Sequence, residues 1–83
     1  MSPPEWLTRH DGSLRLGADA RTWFVYVAGE PHYKVVPSSA AGRFTCQVLQ
    51  TENGSRLDQG AAYATVDDAV RGGLEELRVY LGW

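Results

Sequence analysis

Alternation of apolar and polar residues along the chain predicts several short β-strands. In RFTCQVLQ, residues 43–50, the apolar side chains of Phe44, Cys46 and Val48 occupy every second position, which is typical of a half-buried strand. The strongest strand signal is TWFVYVA, residues 22–28, because β-branched and aromatic residues follow one another there. Most of the chain before residue 64 is therefore predicted to form a sheet.

A tight turn at Gly29 and Glu30 is predicted to join two of these strands into a hairpin. A two-residue loop at this point sets a register in which four side chains share one face of the sheet: Tyr26 with Tyr33, and Phe24 with Val35. The same register turns another four side chains to the opposite face: Trp23, Val25, Lys34 and Val36.

Two further turns are expected from residue pairs that readily adopt positive φ angles. Asp11-Gly12 predicts a hairpin between two short strands, with Leu7 opposite Leu16. Asn53-Gly54 predicts another hairpin, which places Leu57 on the face that holds Val48. The predicted sheet is thus an antiparallel meander.

The last element is predicted to be an amphipathic helix that begins at Val66 and ends before Gly82. Thr65 is the expected N-cap, and Asp68 three residues later forms a variant of the capping box. Gly72 and Gly73 lie inside this helix, where each glycine costs about 0.5–1 kcal/mol relative to alanine. Two interpretations of these glycines remain: close approach of the helix backbone to the sheet, or a kink or partner contact.

These elements together predict an α+β fold of two layers: an antiparallel meander of five to six strands with one C-terminal α-helix packed on one face. Residues 1–5, which include two prolines, are predicted to be a flexible tail, and residues 6–83 a single domain. The face beneath the helix, the core face, is expected to carry Phe24, Tyr26, Tyr33, Val35, Phe44, Cys46, Val48 and Leu57.

Composition and charge indicate where in the cell the protein is located. The 83 residues carry a net charge of −2, so the overall field does not attract phosphate backbones. The single cysteine cannot form an internal disulfide, and no signal sequence or long apolar segment is recognised. We therefore expect a cytoplasmic protein without membrane contact.

The residues that could support catalysis do not form a recognisable site, so we predict that the protein is not an enzyme. His10 and His32 are expected to be solvated turn residues, and Cys46 a small buried thiol rather than a reactive one. Adjacent acids such as Glu75 and Glu76 diverge by about 100° on a helix and form no acid–base pair. No nucleotide or metal motif is present, so no cofactor or small-molecule ligand is implied.

The remaining candidate is the outer face, which is the side of the sheet away from the helix. Its predicted binding residues are apolar and polar side chains with a basic fringe: Trp23, Val25, Lys34, Val36 and Gln47, with Arg21 and Arg43 near the edges. The alternative is that Trp6, Trp83 or the first hairpin folds over this face and leaves no binding surface.

Two kinds of partner fit an open outer face. The first is a protein, either another chain or a second copy in a homodimer, with Trp23 as the buried anchor. The second is single-stranded nucleic acid, with Trp23 stacking on a base while Arg21, Lys34, Arg43 and Arg56 contact phosphates. The predicted architecture is similar in outline to the PC4-like and Whirly single-strand-binding folds, without a shared motif. The weak net charge favours the protein partner.

Overall fold

A five-stranded antiparallel sheet and two helices make up the described part of the chain, residues 2–83 of a computed structural model. The strands follow one another across the sheet in the order β1-β2-β3-β4-β5, which confirms the predicted α+β meander with a C-terminal helix packed on one face. The elements are α1 (Glu5–Thr8), β1 (Gly12–Leu16), β2 (Trp23–Val27), β3 (Glu30–Ala40), β4 (Arg43–Gln50), β5 (Ala62–Tyr63) and α2 (Val66–Leu81).

The segment before β1 forms a helical turn, so the predicted hairpin at Asp11-Gly12 is wrong. The carbonyl oxygen of Pro4 accepts hydrogen bonds from the amides of Leu7 and Thr8, and Leu7 is fully buried. A Cβ atom at Gly12 would collide with the Leu7 side chain, so this glycine makes room for α1 beside β1. Of the predicted tail, Met1 lies outside the described residues, and Glu5 begins α1.

The hairpin between β2 and β3 contains a β-bulge that the sequence pattern did not predict. Its loop is Ala28-Gly29, both with positive φ, one residue earlier than expected. That shift alone would leave the predicted faces unchanged, because side chains alternate with a period of two. However, Tyr26 pairs with Pro31 while Val25 pairs with Tyr33, so His32 is an extra residue and every β2 side chain beyond it changes face.

Thr51 holds the bulge in place from the neighbouring part of the sheet. Its hydroxyl group donates a hydrogen bond to the carbonyl oxygen of Pro31 at 2.6 Å, and its amide donates to the carbonyl oxygen of His32 at 3.0 Å. Pro31 has no amide proton to lose from the ladder, which makes it well suited to a bulge. The bulge is thus stabilised by contacts outside the hairpin.

The core lies between the sheet and the helices. Its buried members are Leu7, Val25, Val35, Cys46, Val48, Ala69, Val70, Leu74 and Leu77. For β3 and β4 the predicted core face is confirmed: Val35, Cys46 and Val48 are buried, and Tyr33, Phe44 and Leu57 pack against them. For β2 it is wrong, because the bulge turns Val25 and Trp23 inward and Phe24 and Tyr26 outward.

Helix α2 has the predicted limits and approaches the sheet closely at its two glycines. The Thr65 hydroxyl oxygen accepts a hydrogen bond from the Asp68 amide at 3.0 Å, and Gly82 ends the helix with a φ of 74°. A Cβ atom at Gly72 would collide with the Tyr63 ring, and one at Gly73 would lie 2.6 Å from Cys46 Sγ. Close approach therefore explains these glycines. Among residues 2–83, no helix has the length and apolarity needed to cross a membrane.

Candidate functional site

The outer face is a connected surface of half-buried apolar and polar side chains bordered by exposed arginines. Successive strand pairs align one row across the sheet, in which basic and apolar residues alternate: Arg15, Phe24, Lys34, Leu49 and Arg56. Beside this row lie Val36 paired with Gln47, and Tyr26 paired with Ser13. Arg43 lies at the beginning of β4, on the same side as Thr45 and Gln47 by strand alternation.

Neither helix covers this face, although the turn at Gly17 borders it: a Cβ atom there would lie 3.0 Å from Phe24 Cε2. Helix α2 packs on β3, β4 and β5, and Leu7 of α1 lies in the same core, so both helices occupy the other side of the sheet. Trp6 and Trp83, which could have folded over the outer face, pack against each other with ring centroids 6.1 Å apart, and Trp6 contacts the core. Both helices and both terminal tryptophans are consequently away from the outer face.

The structure divides the predicted binding residues between two sides of the sheet. Lys34, Val36, Gln47 and Arg43 lie on the outer side, as expected from the strand pattern. The placement of two others there is wrong: Val25 is fully buried, and Trp23 packs against the core beneath α2. Arg21 lines a small hollow of about 150 Å³ at the edge of the sheet, together with Ser38, Phe44 and Val66.

Phe24, Tyr26 and Arg15 are outer-face residues that the sequence interpretation did not identify. The signal that could have found them lies in β1, where Leu14 and Leu16 alternate with the polar Ser13 and Arg15. Leu14 pairs with Val25 and Leu16 with Trp23, so the apolar side of β1 indicates the core side of β2. Trp23 therefore does not lie on the outer face, where the nucleic-acid hypothesis placed its stacking surface.

The charges on the outer face are basic and mostly uncompensated. Among residues 2–83, no carboxylate oxygen lies within 4.0 Å of the side-chain nitrogens of Arg15, Lys34 or Arg43. The Arg15 guanidinium instead lies over the Tyr26 ring, 4.7 Å from its centroid. An anionic group brought to this surface would thus find cations that are free to pair.

Arg56, at the end of the row, differs because it already has a partner. Its Nε donates to Asp58 Oδ1 at 2.8 Å, and the Val48 amide donates to the same oxygen at 3.0 Å. Burial opposes ionisation of Asp58, but these hydrogen bonds outweigh it and lower the pKa of the carboxyl group. The pair closes this part of the free edge of β4 and leaves less positive charge for a ligand.

A second concave surface, the groove, lies on the helix side between α1 and α2. It has a volume of about 610 Å³, and its apolar walls include Trp6, Trp23, Val66, Val70 and Leu74. Charged side chains of both signs stand along it, namely Asp67, Arg71 and Glu75. Sequence reasoning missed this groove because it depends on the inward position of Trp23 and on the helical conformation of residues 5–8.

The nucleophilic and titratable side chains are placed for packing or solvation. Cys46 is buried, as predicted, and burial raises the pKa of its thiol to about 12. His10 stacks on the indole ring of Trp83 with centroids 3.9 Å apart, whereas His32 is the exposed bulge residue near Glu30. Within residues 2–83, no cluster of three or more His, Cys, Asp or Glu side chains could hold a metal ion.

Comparison with known proteins provides no relative: no family model, no curated protein and no solved structure matches this chain. The case for a function consequently depends on the two surfaces just described.

Proposed function

We propose that this protein is a small non-enzymatic binding module that docks another protein on its outer face. The observation that carries the proposal is an open sheet face whose centre is apolar and aromatic. Phe24, Val36 and Leu49 are only partly buried there, and both helices lie on the other side of the sheet. Connected apolar surface with a polar rim is typical of protein interfaces.

The composition of the outer face supports docking better than catalysis. Phe24 and Tyr26 are aromatic side chains of the kind that anchor interfaces, and the antiparallel sheet holds them on a rigid support. The nearby hydrogen-bonding groups are the amide of Gln47 and the hydroxyl of Thr45, which suit the rim of an interface. None of these side chains is a nucleophile activated by a neighbouring base.

Another protein is favoured over a second copy of this chain packed face to face. Two outer faces brought together would place the same unpaired cations, Arg15, Lys34 and Arg43, in one interface without any carboxylate from either sheet face. Like charges that lose water on burial oppose association. A different protein can supply the missing negative charge.

The test compares two variants that replace valine by glutamine on opposite sides of the molecule. Val36→Gln introduces a polar amide into the centre of the outer face, whereas Val79→Gln alters an exposed valine of α2. Tagged wild-type protein and both variants are used to capture partners from the source cells, with circular dichroism to verify folding. We expect the wild type and Val79→Gln to recover the same partner and Val36→Gln to lose it; recovery by folded Val36→Gln would refute the proposal.

A further inference from the structure

We infer that the partner segment received by the outer face is an acidic stretch of protein that also carries apolar side chains. The inference rests on the proposed docking function and adds the chemistry of the partner. It follows from the charge and the spacing of the side chains in the row that runs from Arg15 to Arg56. No outer-facing position of strands β1 to β4 in this surface is occupied by an acid.

In this row, each apolar side chain lies between two basic ones. Phe24 pairs laterally with Arg15 on β1 and with Lys34 on β3, so two cations flank one aromatic ring. Because neighbouring strands are about 4.8 Å apart, the backbones that carry these cations are separated by about 10 Å. A segment that lies across the strands can therefore place acidic groups at both cations and an apolar group on Phe24.

The acids nearest to the row already have partners: Asp58 pairs with Arg56, and Asp19, in the turn beside Phe24, accepts hydrogen bonds from Thr22 and from the Arg21 amide. Three basic residues already have carboxylates within 4.0 Å: Arg9 with Glu5 and Arg78 with Glu75 away from the outer face, and Arg56 with Asp58 at the end of the row. The outer face has no such pairing at Arg15, Lys34 or Arg43 within the described residues. By contrast, α2 carries Asp67, Asp68, Glu75 and Glu76, so an acidic segment would be repelled from the opposite side.

Single-stranded nucleic acid fits these observations less well than acidic protein. A nucleic-acid site needs a continuous basic path and open aromatic rings for stacking. Here the Arg15 guanidinium already covers one side of the Tyr26 ring, and the turn at Gly17 borders the Phe24 ring, so little aromatic surface is left for stacking. The rest of the chain, counted without Arg15, Lys34 and Arg43, has a net charge of −5. A nucleic acid that extends beyond the outer face would therefore be repelled by the surrounding surface.

The experiment follows backbone amide signals of the labelled protein by NMR during titration with synthetic probes. The first probe is a short peptide of glutamate, leucine and serine, the second has glutamine in place of every glutamate, and the third is a thymidine oligonucleotide. We expect saturable shifts at Phe24, Lys34 and Gln47 with the acidic peptide, and about tenfold weaker binding of the glutamine peptide at low salt.

Charge variants locate the interaction. Arg15→Gln and Lys34→Gln should each weaken the acidic peptide about threefold, as expected for an exposed ion pair. Arg71→Gln is the matched control, since Arg71 is an exposed cation of α2 without a carboxylate within 4.0 Å among residues 2–83. Its affinity for the peptide should equal that of the wild type.

Several results would overturn the inference. Equal affinity for the acidic and glutamine peptides, shifts confined to α2, or no shifts at saturating peptide would each show that the outer face does not select acidic segments. Tighter binding of the oligonucleotide than of the acidic peptide would show that the outer face prefers nucleic acid to protein. A captured partner that depends on Val36 but not on Lys34 or on salt would refute the acidic chemistry and leave the docking function intact.

Discussion

Truncation of two strand valines tests the central structural finding, which is the face of β2 that is buried in the core. Val25 is fully buried beneath the helices, whereas Val36 lies on the outer face, where the phasing expected from sequence would have placed both. Val25→Ala removes the equivalent of two methylene groups from the core, which costs about 1.6 kcal/mol in transfer free energy. The cavity left behind raises the expected loss to about 2–3 kcal/mol.

The control for this prediction is Val36→Ala, which makes the same chemical change at an outward position of the neighbouring strand. It should cost less than about 1 kcal/mol, because it loses strand preference but creates no core cavity. For a chain of 83 residues, the melting temperature should fall by about 10–20 °C for Val25→Ala and by only a few degrees for Val36→Ala. Thermal unfolding followed by circular dichroism measures both; equal losses would refute the inward direction of Val25.

Three further predictions concern packing, titration and reactivity. Gly73→Ala should destabilise the fold by about 1–2 kcal/mol in urea denaturation, because the added methyl group meets the buried Cys46 side chain and the overpacking outweighs the helix propensity gained; a gain in stability would contradict this contact. Hydrogen bonds from the backbone and side chain of Thr22 and the amide of Arg21 lower the pKa of Asp19 from 3.8 to about 2. Because the folded-state pKa is the lower one, the Asp19 contribution to stability is complete above pH 3.8 and is lost as the pH falls through about 2; an NMR titration midpoint near 3.8 would be inconsistent with this turn. Cys46 should react with Ellman's reagent at about pH 8 only after unfolding, because burial raises its pKa to about 12; rapid labelling of folded protein would disprove its burial.

The elements that were predicted correctly are those set by local interactions. Thr65 caps α2 through its own hydroxyl group, and Gly82 ends the helix because its positive φ costs glycine little. Likewise, the alternation in β4 places Cys46 and Val48 inward whatever strand lies beside it. Such signals lie within a few residues of the features that they determine.

The parts that were predicted incorrectly depend on contacts between distant segments. At residues 5–8 the short apolar stretch is compatible with a strand or a helix, and the choice depends on where Leu7 can reach the core past Gly12. In β2 every residue from 23 to 27 is apolar or aromatic, so its pattern cannot distinguish the two faces. The groove between α1 and α2 could not be predicted from sequence, because its walls include residues from both of these segments.

By itself, the amino-acid sequence determined a meander of short strands closed by one capped helix, since strand alternation and helix capping act over a few residues. Only the tertiary structure decided which side of β2 is buried. A single extra residue, His32, bulges out of β3, and the Thr51 amide in the turn after β4 donates a hydrogen bond to its carbonyl oxygen; with a side-chain period of two, this extra residue reverses the faces of β2. That long-range contact places Trp23 in the groove and Phe24 between Arg15 and Lys34 on the outer face.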